Sequence, residues 1–192
     1  METVIQLNSE AKLSEHFTLG ELTVTNQKGI YNIPSHEAIA NLKRLCTWLE
    51  VLRKRYNALY VQGEFCRIYN SAEPNMGICN PRSIANADIN SSRISNSTEQ
   101  GIHINSGYRS PQLNRKIGGA PTSNHLTGCA CDIRVAGMEQ AIRYAAILLD
   151  YSQESNQDFD ELLIEKNRFG AIWVHFAVRP SNNRRKILFI NA

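Results

Sequence analysis

The segment "FDELLIEKNRFGAIWVHFAV", residues 159–178, constrains the fold more than any other. Two runs rich in branched and aromatic residues flank "KNRFG", a pattern that predicts an antiparallel hairpin. Strand alternation then sorts the side chains onto two faces. Ile172, Val174, Phe176 and Val178 make one face apolar, while Trp173, His175 and Ala177 share the other. On the preceding run, Glu161, Leu163 and Glu165 fall together. A sheet is therefore expected to bury one side and to carry polar groups on the other.

The remaining elements add helices to that sheet. "IPSHEAIANLKRLCTWLEVLRKRYN" predicts the strongest helix, with Pro34 in its first turn and Ile39, Leu42, Leu45, Cys46, Leu49 and Leu52 at helical spacing. Basic residues crowd its C-terminal end, which suits the helix dipole. Ser14 and Thr18 are candidate caps for short turns, and "NALYVQGEF" for a short strand. "GIHINSGYRS" contains a strand, "SPQLNRKIGG" a short helix closed by glycines, and "CACDIRV" another strand. "GMEQAIRYAAILLDYSQ" predicts an amphipathic helix with Ala141, Tyr144, Ala145 and Leu148 on one face, and "KILFI" adds a last strand. Helices first and hairpin-linked strands later imply an α+β fold: an antiparallel sheet with helices packed on one side.

At 192 residues the chain suits a single domain, 1–192. Residues 70–100 differ from the rest, with six Asn, six Ser and no aromatic residue. Such a stretch inside a domain predicts a polar surface insertion. The net charge of +3 (21 basic minus 18 acidic) is too small to indicate a nucleic-acid partner. No run reaches membrane-span length, and the opening residues lack a basic-then-apolar signal, so cytoplasmic synthesis is expected. Five cysteines at irregular spacing do not form a disulfide framework. Nothing in the pattern specifies an oligomeric state.

The chemistry concentrates in "SNHLTGCACDI" and the His175 strand. In "CACDIRV", Ala130, Asp132 and Arg134 point one way, and Cys131, Ile133 and Val135 the other. Asp132 and His175 are thus polar groups on strands whose opposite faces are apolar, and His125 lies on an adjoining loop. Two imidazoles and a carboxylate, with a fourth position open to water, are what catalytic zinc uses. Cys129 and Cys131 turn toward the apolar side. A His125, Cys129, Cys131 cluster is the rival metal set, but it lacks paired C-x-x-C spacing. Taken singly, each histidine is more often a hydrogen-bonding residue than a ligand. His16 and His36 stay with that reading, and His103 is the one nearest the site in sequence.

"INSGYRSPQLNRKIGGAPTSNHLTGCACDI", followed by "FDELLIE" and "WVHFAV", resembles peptidase family M15, the zinc D-Ala-D-Ala carboxypeptidases and phage-type murein endopeptidases. "FTLGEL" and the long helix resemble the N-terminal part of the phage-type branch. The resemblance implies the hedgehog/DD-peptidase fold and a Zn2+ cofactor bound by His125, Asp132 and His175. It implies that Arg109 stabilises the substrate carbonyl oxygen or binds a carboxylate, and that Ser123 and Tyr108 contact substrate. Some relatives carry an acidic residue three positions before the last histidine, where this chain has Ile172. The phage-type branch instead resembles this chain in ending its penultimate strand with "LIE", so the resemblance implies Glu165 as the general base, with Glu161 as competitor and Asp160 third. A five-residue hairpin loop pairs Glu165 with Ala171 and Glu161 with His175, whereas a bulge or longer loop brings Glu165 to the metal.

The implied function is hydrolysis of peptide bonds in peptidoglycan stem peptides by a metal-activated water, after release of the protein to the cell wall. D-Ala-D-Ala carboxypeptidase, D,D-endopeptidase and L-Ala-D-Glu endopeptidase activities all suit such a site, because pocket shape separates them. The alternative is a non-catalytic, metal-stabilised binding module on the same scaffold.

Overall fold

The computed structural model describes residues 8–61 and 99–191. Residues 70–98 of the expected insertion, and Cys66 and Cys79, lie outside them. The first helix, α1, spans His36–Tyr56 and is capped by Ser35, whose side chain accepts from the Ala38 N–H at 3.2 Å. Pro34 thus sits one residue before the cap, rather than in the first turn. The stripe of Leu42, Leu45, Cys46, Leu49 and Leu52 is fully buried.

Where a strand was expected after α1, the chain instead winds on through a π-helical turn, Asn57–Val61. The Asn57 amide donates to the carbonyls of Arg53 (2.9 Å) and Gln100 (3.0 Å), which anchors that turn to the returning chain. Ser14 caps no helix; its hydroxyl donates to Glu50. Thr18 and Glu21 do exchange hydrogen bonds around the 3-10 turn Glu21–Thr23, in the manner of a capping box.

The strands are β1 (Ile104–Ser106), β2 (Ala130–Arg134), β3 (Glu161–Lys166), β4 (Ile172–Ala177) and β5 (Lys186–Asn191). Their order is β1-β2-β4-β3-β5. The first four pair antiparallel, which gives the α+β class, but β5 runs parallel to β3. The chain leaves β4, crosses to the far edge of β3 and returns in the β3 direction. Among the described residues, two further α-helices follow, α2 (Pro111–Lys116) and α3 (Met138–Ser155).

One face of the sheet is closed by α1 and α3. Cys131, Ile133, Leu162, Val174 and Phe176 pack there against Trp48, Tyr144 and Leu148. Trp48 is the hub, with ring centroids 4.8 Å from Tyr151 and 5.3 Å from Phe176. The opposite face carries Asp132, Glu161, Glu165, Trp173 and His175, as alternation predicts. Burying the apolar side chains beneath them holds these polar groups on rigid strands.

The β3–β4 hairpin forms in a register two residues from the one expected. Lys166 faces Ile172, so Glu165 opposes Trp173 and Leu163 opposes His175. Asn167 sets this register. Its N–H donates to the Ala171 carbonyl, its side-chain oxygen accepts from the N–H groups of Phe169 and Ala171, and Gly170 takes φ +87°. Glu161 and Glu165 therefore flank His175 diagonally, one on each side.

Candidate metal centre

Asp132 and His175 are directly paired across β2 and β4, so their side chains leave the sheet side by side. His175 Nδ1 lies 2.9 Å from Asp132 Oδ1. His125 arrives from the 3-10 turn Asn124–Thr127, whose first N–H groups are capped by Ser123. Its Nε2 lies 3.3 Å from the same Asp132 Oδ1. All three side chains are buried, and one ligand-type atom from each lies within 4.8 Å of the others.

The surroundings orient each ligand. His125 Nδ1 is 2.6 Å from the Gly107 carbonyl, which accepts its proton and leaves Nε2 free to ligate. That carbonyl is placed by a close backbone approach. A Cβ on Gly107 would overlap the Leu22 carbonyl, which accepts from the Tyr108 N–H at 2.7 Å. Asp132 presents Oδ1 to the histidines and gives Oδ2 to an Arg109 N–H. His175 Nε2 faces Glu161 Oε2 at 3.5 Å.

Charges in the cluster reinforce one another. Burial raises the Asp132 pKa, but the His125 and His175 hydrogen bonds and charges overcome it and hold the carboxyl well below the usual range. Burial disfavours charged His175, yet hydrogen bonds to Asp132 and Glu161 push it up to about 9. The His175 hydrogen bond, against partial burial, draws Glu161 down to about 2. Glu165 moves the other way, because burial raises it more than His175 lowers it. Two carboxylates flanking one imidazole are thus driven apart in acidity.

Residues 67–167 match the Peptidase M15 family. The chain belongs to that family. The match takes in Arg109, Ser123, His125, Asp132, Glu161 and Glu165, and stops short of His175, which the sheet brings to His125 and Asp132. The M15 fold class here is α+β, and its members are metallopeptidases. No curated protein matches the chain. The donor set fits the metal such a peptidase requires: two imidazoles and one carboxylate, with His125 Nδ1 and His175 Nε2 each facing an acceptor of its own.

The structure also places the other expected residues of this M15 peptidase. Arg109 Nε donates to Ser106 Oγ at 2.8 Å, so the guanidinium stands beside the centre, 15% exposed. Ser123 is half-buried, and its oxygen accepts from the His125 N–H. Tyr108 is packed into the core, 7% exposed, on a loop pinned by Asn32. Asp160 is fully buried and held by Arg179, Arg184 and Asn124, which rules it out as a free base. His103 is exposed just before β1 and is not one of the three clustered residues. Cys129 and Cys131 are buried, and burial raises both thiols. A cavity of about 440 Å³ adjoins the turn at Ser123 and Asn124, between α1 and Arg179, but none of the three ligands lines it.

Residue reasoning overlooked Gly107, Asn32 and Asn124. "SGYRS" and "SNHLTG" each carry a visible turn signal, yet neither discloses which distant group the turn will meet.

Proposed function

We propose that residues 1–192 form one zinc-dependent peptidase domain that hydrolyses peptide bonds in peptidoglycan stem peptides, as a D-Ala-D-Ala carboxypeptidase or murein endopeptidase. The observation that carries this reading is the buried His125–Asp132–His175 cluster in a chain of the M15 family. Those three residues would hold the ion and leave it open to water. Bound zinc would supply Lewis acidity, which lowers the pKa of bound water to about 7.

Glu165 is the general base. It shares the sheet face of His175, and burial shifts its carboxyl upward, toward the range in which proton transfer at neutral pH is efficient. It takes a proton from the attacking water and returns it to the leaving amine. Arg109 keeps N–H groups beyond those given to Asp132 and Ser106, and these stabilise the developing oxyanion or bind a substrate carboxylate. The Ser123 hydroxyl, whose oxygen already accepts from His125, donates its proton to a substrate terminus. Among the described residues no helix is long and apolar enough to cross a membrane.

Mass spectrometry of products from defined muropeptides, with and without a chelator, tests the reading. Cleavage that stops on chelation and returns with zinc is expected. Glu165→Gln should lower the rate about 10²–10⁴-fold while zinc stays bound. Full activity in His125→Ala would refute the zinc assignment, and metal uptake without cleavage of any stem peptide would favour a binding module.

A further inference from the structure

His175 meets a carboxylate on each ring nitrogen. Nδ1 faces Asp132 within the ligand cluster, and Nε2 faces Glu161 Oε2 at 3.5 Å, outside it. Glu161 is itself tightly held. Its Oε1 lies 2.8 Å from Arg184 Nη2 and 3.5 Å from Lys186 Nζ, and its Oε2 accepts from Asn124 Nδ2 at 2.9 Å. Asn124 immediately precedes His125 and also accepts from Arg179. One carboxylate thus touches one histidine of the cluster directly and is tied to the backbone of the other through its neighbour.

Both oxygens of Glu161 are committed, and its side chain is only 14% exposed. That separates it from Glu165, which no ion pair holds among the described residues. Resting on the zinc reading above, we propose that Glu161 is a positioning residue of the metal centre. It accepts the His175 Nε2 proton, so that Nδ1 is presented to the ion, and Arg184 and Asn124 clamp Glu161 in that orientation. Histidine ligands generally need such an acceptor on the second nitrogen, and losing it costs about 10–100-fold in metal affinity.

The test is Zn2+ affinity of the full chain, measured by competition with a chromophoric chelator, with folding checked by circular dichroism. Glu161→Ala should bind zinc about 10–100-fold more weakly. Glu161→Gln should stay within a few-fold of wild type, because the amide oxygen accepts the same proton. Should Glu161→Ala not fold, Glu161→Asp decides the question: it keeps a charge for Arg184 but withdraws the oxygen from Nε2, and about a ten-fold loss is expected. Wild-type affinity in Glu161→Ala or Glu161→Asp overturns the proposal, as does a Glu161→Gln protein no tighter than Glu161→Ala. His175→Ala is the control for the underlying reading. If wild type and His175→Ala bind zinc equally, the zinc site itself fails; if only the Glu161 variants match wild type, the positioning role alone fails.

Discussion

Replacing Asp160 by Asn should be the most informative single test of the network beneath the site. Asp160 is fully buried at the start of β3, with Oδ1 2.8 Å from Arg184 Nε and Oδ2 2.6 Å from Arg184 Nη2. Oδ2 also accepts from Asn124 at 2.7 Å and lies 3.0 Å from Arg179 Nε. An amide at this position removes the charge and turns an N–H₂ toward groups that are all donors. Breaking a buried ion pair from one side costs about 3–5 kcal/mol. Here both arginines keep a wet side, at 31% and 46% exposed, so water recovers part of that loss and about 2–3 kcal/mol is expected. For a chain of this size the melting temperature should fall by about 4–12 °C. Urea and thermal unfolding of metal-free protein measure it. Asp158→Asn is the matched control: the same Asp–Arg chemistry at 62% exposure should give no resolvable change. Equal effects from the two substitutions would refute the claim that burial sets the energetics.

Other outcomes follow from neighbouring geometry. The Asp160 carboxyl is depressed in the folded state, despite burial, by Arg184 and Asn124. Its stabilisation is full above the unfolded value of about 3.9 and is lost as pH falls through the folded pKa, so the Asp160→Asn deficit should shrink in acid. A deficit that grows below pH 4 would contradict that sign. Gly107→Ala should cost about 1–3 kcal/mol, because its Cβ meets the Leu22 backbone, and should weaken zinc binding by moving the His125 acceptor; calorimetry and metal titration read both. Zinc at 1,000 times its dissociation constant should add about 4 kcal/mol and about 8–16 °C to the melt, an increment absent in His175→Ala.

Much of this architecture was legible before any coordinates. Period 3.6 located α1 and α3, because their apolar stripes must face a sheet. Period 2 put Asp132 and His175 on one side and Cys131 and Phe176 on the other. Both are local consequences of backbone geometry, and packing had no reason to override them. The hairpin register was another matter. Asn167 folds its side chain into the loop and moves the closing pair by one residue at each end. That small change places Leu163, instead of Glu161, opposite His175. The winding of Asn57–Val61 likewise depends on a partner, Gln100, more than forty positions away.

The sequence by itself determined which residues offer metal-binding chemistry and which face of each strand carries them. Alternation suffices for the faces, and the resemblance to the M15 motif singles out His125, Asp132 and His175. Tertiary structure alone decided the different surroundings of the two glutamates. Glu161 and Glu165 are identical in type and share a face, and they differ only in what reaches them. Arg184 and Lys186 come to Glu161 because β5 crosses to the β3 edge and pairs in parallel. Trp173 comes to Glu165 because a loop asparagine sets the register. The acidity of a carboxylate depends on its neighbours in space, and those neighbours are chosen by pairings far apart in the chain.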